Sequence, residues 1–237
     1  AEGALLSAAA LPFLAPPAAD SWPWLALSVV LQASYYVLVA RCYQHADMSL
    51  AYPLMRGCAP ILVTMAGAVM GERLPAPALI GILLVSTGIL CMAAGTRSGR
   101  IGMPLLTAAM IATYTVVDAH GARLSGNAVG YALWLFLLSG LPLTLWAAVR
   151  RRGELLVYAR RHWVLGIAGG VGTTASYAIA LWAMTRAPVA MVAALRETSI
   201  LFALLISVLV LGERVPRVRW LAAGLIVGGA IVLRVAG

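Results

Sequence analysis

Lysine is absent from this 237-residue chain, and all 17 basic residues are arginine. Without lysine there is no Walker-type phosphate loop and no Schiff-base or acid–base lysine. Charge of either sign is scarce: charged residues make up 11% of the chain and only 8 are acidic, against 62% hydrophobic. A soluble domain carries about 25% charged residues and could not cover its surface with so few. The three cysteines, Cys42, Cys58 and Cys91, lie singly in or beside apolar runs. That excludes a disulfide framework and a cysteine-based zinc site. There is no H-E-x-x-H, no G-x-S-x-G and no paired-carboxylate spacing, and the three histidines are scattered. No metal, cofactor or enzymatic chemistry is assigned. These absences set aside soluble enzymes, disordered regulators and secreted disulfide scaffolds.

What the chain does have is long apolar runs, with a mean hydropathy of +0.95. A bilayer core takes about 20 apolar residues per helix. Runs of that order fall at 22–44, 50–71, 77–95, 102–124, 128–149, 163–185, 189–211 and 218–235, with a partial run at 3–16. Pro16-Pro17, Pro75-Ala76-Pro77, Gly99, Ser125-Gly126 and Pro188 punctuate them. Backbone groups in lipid must bond internally, and strict barrel-strand alternation is missing, so the runs predict helices. Residues 1–14 lack the basic n-region of a signal peptide and read as the tail of a longer span.

The chain repeats itself. Gly71-Glu72-Arg73-x-Pro75 returns as Gly212-Glu213-Arg214-x-Pro216, an offset of 141 residues. At that offset Trp22 matches Trp163, Tyr36 matches Tyr177, Leu54 matches Leu195 and Gly88 matches Gly229. The second copy, 102–237, holds five spans, and 96–101 is the linker. The first copy, 1–95, would begin about forty residues before Ala1 on the same register. It therefore lacks one span and part of the next, and the expectation is a fragment of a longer chain. Five is odd, so consecutive copies enter the membrane from opposite sides. The predicted fold is an all-α polytopic membrane protein of two inverted five-helix repeats, the first truncated. This is a common plan for secondary transporters, with the substrate near the midplane between copies.

The formal charge of +9 has a membrane meaning. Most arginines sit between apolar runs, as positive-inside loops do, and not in a basic patch for nucleic acid. Arg41, Arg97, Arg100, Arg150, Arg151, Arg152, Arg160, Arg161, Arg214, Arg217 and Arg219 fall on one side; Arg73, Arg123, Arg186 and Arg234 on the other. That excess makes the first side cytoplasmic and the C-terminus external.

Tyr52-Pro53-Leu54-Met55-Arg56-Gly57-Cys58-Ala59-Pro60, then Gly71-Glu72-Arg73-Leu74-Pro75 and Gly81 with Gly88, resembles the EamA family of the drug/metabolite transporter superfamily. A weaker version returns at Ala193–Thr198, Gly212–Pro216 and Gly224 with Gly229. The resemblance covers essentially the whole chain. It implies a ten-helix transporter of two inverted five-helix repeats, carrying small metabolites or exporting compounds. Family members are usually drawn with both termini cytoplasmic, whereas the arginine count here puts the C-terminus outside.

Two arginines remain inside spans. A charge at the bilayer centre costs at least about 2.5–3.5 kcal/mol, so such groups face the bundle interior or a cavity. Arg56 lies roughly 9 Å into its span at 1.5 Å per residue. Arg196 and Glu197 lie similarly deep, and the 141 offset maps Arg56 onto Glu197. An Arg56–Glu197 pair would satisfy both groups. Arg56, Arg196 and Glu197 read either as an anion-binding or gating set or as a fixed ion pair locking two helices. Tyr35, Tyr36 and Tyr177, on repeat-equivalent spans, read as substrate-cavity lining or as plain packing. Asp118, with Tyr114 one turn earlier on the same face, reads as a proton-coupling carboxylate or as a helix-end carboxylate paired with Arg123. His120 reads as interfacial packing. The glycines Gly166, Gly169, Gly170 and Gly172 read as a close-packing surface. Glu72 and Glu213 read as structural.

The expected function is a secondary transporter of the inner membrane, not an enzyme. It moves a small metabolite such as an amino acid or organic acid, in the export direction, by alternating access with proton coupling. Its partners are the substrate and the bilayer, not nucleic acid, and it acts as a monomer or homodimer. A lipid-linked metabolite flippase and a non-transporting membrane protein are the competing readings.

Overall fold

The computed structural model describes residues 2–93, 101–150, 152–210, 212 and 215–236. Of the sequence features above, most of the 96–101 linker, Arg97, Arg100, Arg151, Glu213 and Arg214 lie outside the described residues. The described residues are almost all helical, with no strand among them. Among the described residues ten α-helices run in order: α1 Glu2–Ala10, α2 Trp22–His45, α3 Met48–Val69, α4 Ala76–Cys91, α5 Gly102–Leu124, α6 Ala128–Arg150, α7 Arg152–Met184, α8 Val189–Arg196, α9 Ser199–Leu209 and α10 Arg217–Ala236. Six stretches are long and apolar enough to cross a membrane: Ala19–His45, Met48–Val69, Gly102–Leu124, Arg161–Met184, Val189–Leu209 and Arg217–Ala236. Ala76–Cys91 and Ala128–Pro142 are shorter apolar helices. The chain is a multi-pass membrane protein.

Local chemistry sets the helix ends. Asp47 caps α3, its Oδ1 accepting from the Ser49 backbone N–H at 2.9 Å and the Ser49 hydroxyl at 2.7 Å. The exposed carboxyl of Asp47 is held below its ordinary range, first by the Ser49 hydroxyl and then by the Ser49 N–H. The helix stops at Gly71, whose φ of 87° suits glycine, with Glu72 N–H closing onto Gly67 O at 2.8 Å. Gly212, 141 residues on, has a φ of 66°. Asn127 begins α6 by accepting from Gly130 N–H at 3.0 Å.

Two expectations change. The arginine-rich connection expected at 150–162 is helical where it is described: α6 runs to Arg150, and α7 starts at Arg152 and bends at His162, whose φ/ψ of −124°/20° leaves the helical region. The run expected as one helix over 189–211 is two, α8 and α9, joined through Glu197 and Thr198. There the bonds tighten to three residues' span: Glu197 N–H to Ala194 O and Thr198 N–H to Leu195 O, both 3.1 Å.

The chain divides into two compact units, 1–33 with 117–186, and 34–116 with 187–237. Each takes segments from both sequence copies. In the first, α1 packs on α6 and α7: Ala4 sits under Gly140, where a Cβ would come within 2.8 Å, and Trp22 stacks edge-on against Trp134 at 5.2 Å. Tyr131, Leu135, Leu181 and Met184 fill its core. In the second, α3 packs on α4 and α8, and α4 packs on α10. The α4–α10 contact is closest. A Cβ on Gly81 would lie 3.0 Å from Gly229 O, one on Gly88 2.8 Å from Ala222 O, and one on Gly229 2.7 Å from Gly81 O. The two helices are antiparallel there, since the later residue of α4 meets the earlier residue of α10. Of the glycines expected to form a close-packing surface, Gly166 and Gly170 are buried, whereas a Cβ on Gly169 or Gly172 would meet nothing within 4 Å.

Candidate functional site

Polar chemistry inside the apolar spans gathers in two places, one per unit. In the second unit, Arg56 projects from the middle of α3. Pro60, four residues on, has no N–H to offer the Arg56 carbonyl, so the helix ladder is already interrupted at this level. Arg56 Nε lies 2.8 Å from Glu197 Oε2; their side chains are 29% and 8% exposed. Arg56 Nη2 donates to Ser199 Oγ at 3.4 Å, and the guanidinium stands 5.9 Å from the centre of the Tyr52 ring. Glu197 and Ser199 flank the tight turn between α8 and α9, so the acid sits where that helix is least regular. Arg196 is partly exposed and close enough to act on Glu197 electrostatically.

Tyr35 packs against Tyr36 at 5.5 Å and against Tyr114 at 5.4 Å between ring centres. Tyr52, Tyr114 and Tyr35 all lie within electrostatic reach of Arg56. A cavity of about 360 Å³ opens beside this cluster. Met48, Ser49 and Tyr52 of α3, Ile200, Leu204 and Ser207 of α9, and Arg219 of α10 line it.

In the first unit, Asp118 is fully buried near the end of α5. Its Oδ1 accepts from the Ser28 hydroxyl, and its Oδ2 accepts from Gln32 Nε2 at 3.1 Å and from the Tyr177 hydroxyl. Ser28 and Gln32 are one turn apart on α2 and face the same carboxylate. Phe136 packs edge-on against Tyr177 at 5.7 Å. Arg123 Nε donates to the Met184 carbonyl at 3.0 Å, and His120 packs against Trp24 at 4.3 Å.

Arg56 and Glu197 thus come together as their spacing implied, with Arg196 beside them. Tyr35 and Tyr114 join that cluster, and Tyr36 flanks it at 42% exposure. Tyr177 does not: it belongs with Asp118. Tyr114, expected on the same helix face as Asp118, has its ring against Tyr35. Sequence reasoning missed Ser28 and Gln32, whose signal was two polar residues one turn apart in an apolar run. It missed Ser199 and the partnership of Tyr52 with Arg56, four residues apart on α3. Among the described residues, no three His, Cys, Asp or Glu side chains are grouped to hold a metal ion.

No curated protein matches this chain. One solved crystal structure is similar with a TM-score of 0.74 at 21% identity, aligning 99% of this chain with 84% of that one, which shows a shared fold. The family model for EamA-like transporters matches residues 99–235. With more than half of its length matched, the chain belongs to the EamA-like transporter family.

Proposed function

We propose that this chain is a secondary transporter of the inner membrane that moves a small anionic or zwitterionic metabolite, in the export direction, by alternating access between two inverted repeats. The observation that carries the reading is the Arg56–Glu197 pair. It joins two sequence positions 141 residues apart that the repeat treats as equivalent. A residue that touches its own equivalent lies on the axis relating the copies. The α4–α10 contact supports the same axis: position 81 meets 229 while 88 meets 222, and each of 81 and 88 differs from its equivalent, 222 and 229, by 141. Reciprocal contacts of this kind are what a twofold produces. The antiparallel course of these helices supports inversion.

The chemistry follows from the pair. A substrate carboxylate can replace Glu197 on the guanidinium, because arginine presents several donors in a planar fork. Glu197, displaced, is then free to move with the irregular turn between α8 and α9, which links occupancy to helix motion. Asp118 supplies the coupling site. Its partners Ser28 and Tyr177 carry hydroxyls that either donate or accept, so the carboxyl can hold or lose a proton without leaving its place.

The test is uptake into proteoliposomes against a panel of amino and organic acids. Arg56→Ala should abolish uptake of the anionic substrate, and Asp118→Asn should leave uptake indifferent to an imposed pH gradient. Undiminished transport by Arg56→Ala would remove the anion site, and an unaltered pH response in Asp118→Asn would remove the coupling role.

A further inference from the structure

The cavity beside Arg56 contains a second guanidinium. Arg219, in the first turn of α10, lines it together with Ser49, Tyr52 and Ser207. Among the described residues no carboxylate lies within ion-pair distance of Arg219, unlike Arg56. The remaining wall is apolar and compliant, with the thioethers of Met48 and Met92 at the same end of the unit. The volume of about 360 Å³ falls at the small end of ligand pockets.

The arrangement has a direction. Met48 and Ser49 begin α3, Met92 follows the end of α4, and Arg219 lies near the start of α10, so these groups mark one end of the unit. Tyr52 lies one turn deeper, and the Arg56 guanidinium stands 5.9 Å from the centre of its ring. From Ser49 to Arg56 is about 10 Å along the helix. Tyr52 therefore touches both: it lines the cavity that holds Arg219, and its ring lies beside the Arg56 guanidinium.

We propose that this cavity is a vestibule that binds a small monocarboxylate with an apolar body, its carboxylate on Arg219 and its body against Met48 and Met92, before Tyr52 turns to admit it to Arg56. The inference rests on the transport reading and adds a separate binding site to it. A single guanidinium with no carboxylate at ion-pair distance among the described residues suits one negative charge. The hydroxyl of Tyr52 is a further hydrogen-bond group for the same head.

Phenylpyruvate is the probe, with 2-phenylethanol as the same body lacking the carboxylate, measured by titration calorimetry on the full chain in phosphatidylcholine nanodiscs. Losing a charge-assisted hydrogen bond should weaken phenylpyruvate binding by about ten- to a hundredfold in Arg219→Gln. Arg219→Lys should recover most of it, and Ala203→Trp should abolish binding by filling the cavity. Arg56→Gln should lose uptake yet still bind phenylpyruvate. Binding that is unchanged in both Arg219→Gln and Ala203→Trp would overturn the vestibule while leaving the transport reading standing. Binding lost in Arg219→Gln, with no uptake by the unsubstituted chain, would support the vestibule and overturn the transport reading. Phenylpyruvate displaced by phosphatidylglycerol nanodiscs would assign Arg219 to a lipid headgroup and overturn the soluble occupant.

Discussion

The Arg56–Glu197 pair can be measured as a coupling between two sites. Arg56→Gln removes the guanidinium and leaves Glu197, 8% exposed, without the partner that lies 2.8 Å away. Breaking a buried pair from one side costs about 3–5 kcal/mol, because the remaining charge is uncompensated. Glu197→Gln strands Arg56 instead, but its side chain is 29% exposed and reaches water more easily. Solvent screening brings that loss nearer to about 1–2 kcal/mol. The double variant leaves two neutral amides that can bond to one another, so its loss should fall well below the sum of the singles. The expected coupling is about 1.5–3 kcal/mol. For a chain of this length about 1 kcal/mol moves the melting point by roughly 2–4 °C. Arg56→Gln should therefore melt roughly 10 °C lower, Glu197→Gln a few degrees lower, and the double variant between them. Tryptophan fluorescence on heating in detergent reads this directly, with 7 tryptophans in the chain. Additivity within about 0.5 kcal/mol would refute the claim that the two groups sustain each other.

Two further outcomes follow from the packing and the caps. Gly88→Ala should cost about 1–3 kcal/mol, because its Cβ would lie 2.7 Å from Ile226 Cγ1 and 2.8 Å from Ala222 O, and the latter is backbone. Gly172→Ala, with nothing within 4 Å, should instead gain up to about 1 kcal/mol from helix propensity, and equal melting shifts would refute the close α4–α10 contact. The Asp47 carboxyl is held below its ordinary value in the folded chain. Its contribution is thus full above the unfolded value and lost as pH falls through the folded one. A melting curve followed from neutral to strongly acidic pH should be flatter in this range for Asp47→Ala; parallel curves would refute the cap.

The helices were legible where the local signal and the apolar period agreed. The run at 102–124 predicted α5 to the residue, and Pro75-Ala76-Pro77 located the start of α4 closely. The 141 offset made the Arg56–Glu197 pair legible, since it put opposite charges at matching depths. What could not be read were tertiary neighbours. Asp118 had Tyr114 on its own helix face, but its donors come from α2 and α7. Nothing in the spacing of one helix tells which strangers will meet it. The arginines of 152–161 looked like a polar connection because charge was weighed above helix propensity, though arginine and leucine both favour helix. The break at Glu197 left no glycine or proline to announce it, because it is a tightening of the hydrogen bonds and not a change of chain direction.

Consider two identical half-length chains assembled as the proposed repeats are. Position 56 of one would meet position 56 of the other, and arginine would face arginine in a poorly solvated place. The opposite charges at 56 and 197 are thus compatible only with copies that differ. On the proposed inverted-repeat reading, an ancestral self-pairing unit would not carry this bridge, which would follow duplication and divergence. Once present, it would also discourage either half from pairing with its own kind and favour assembly with its covalent neighbour.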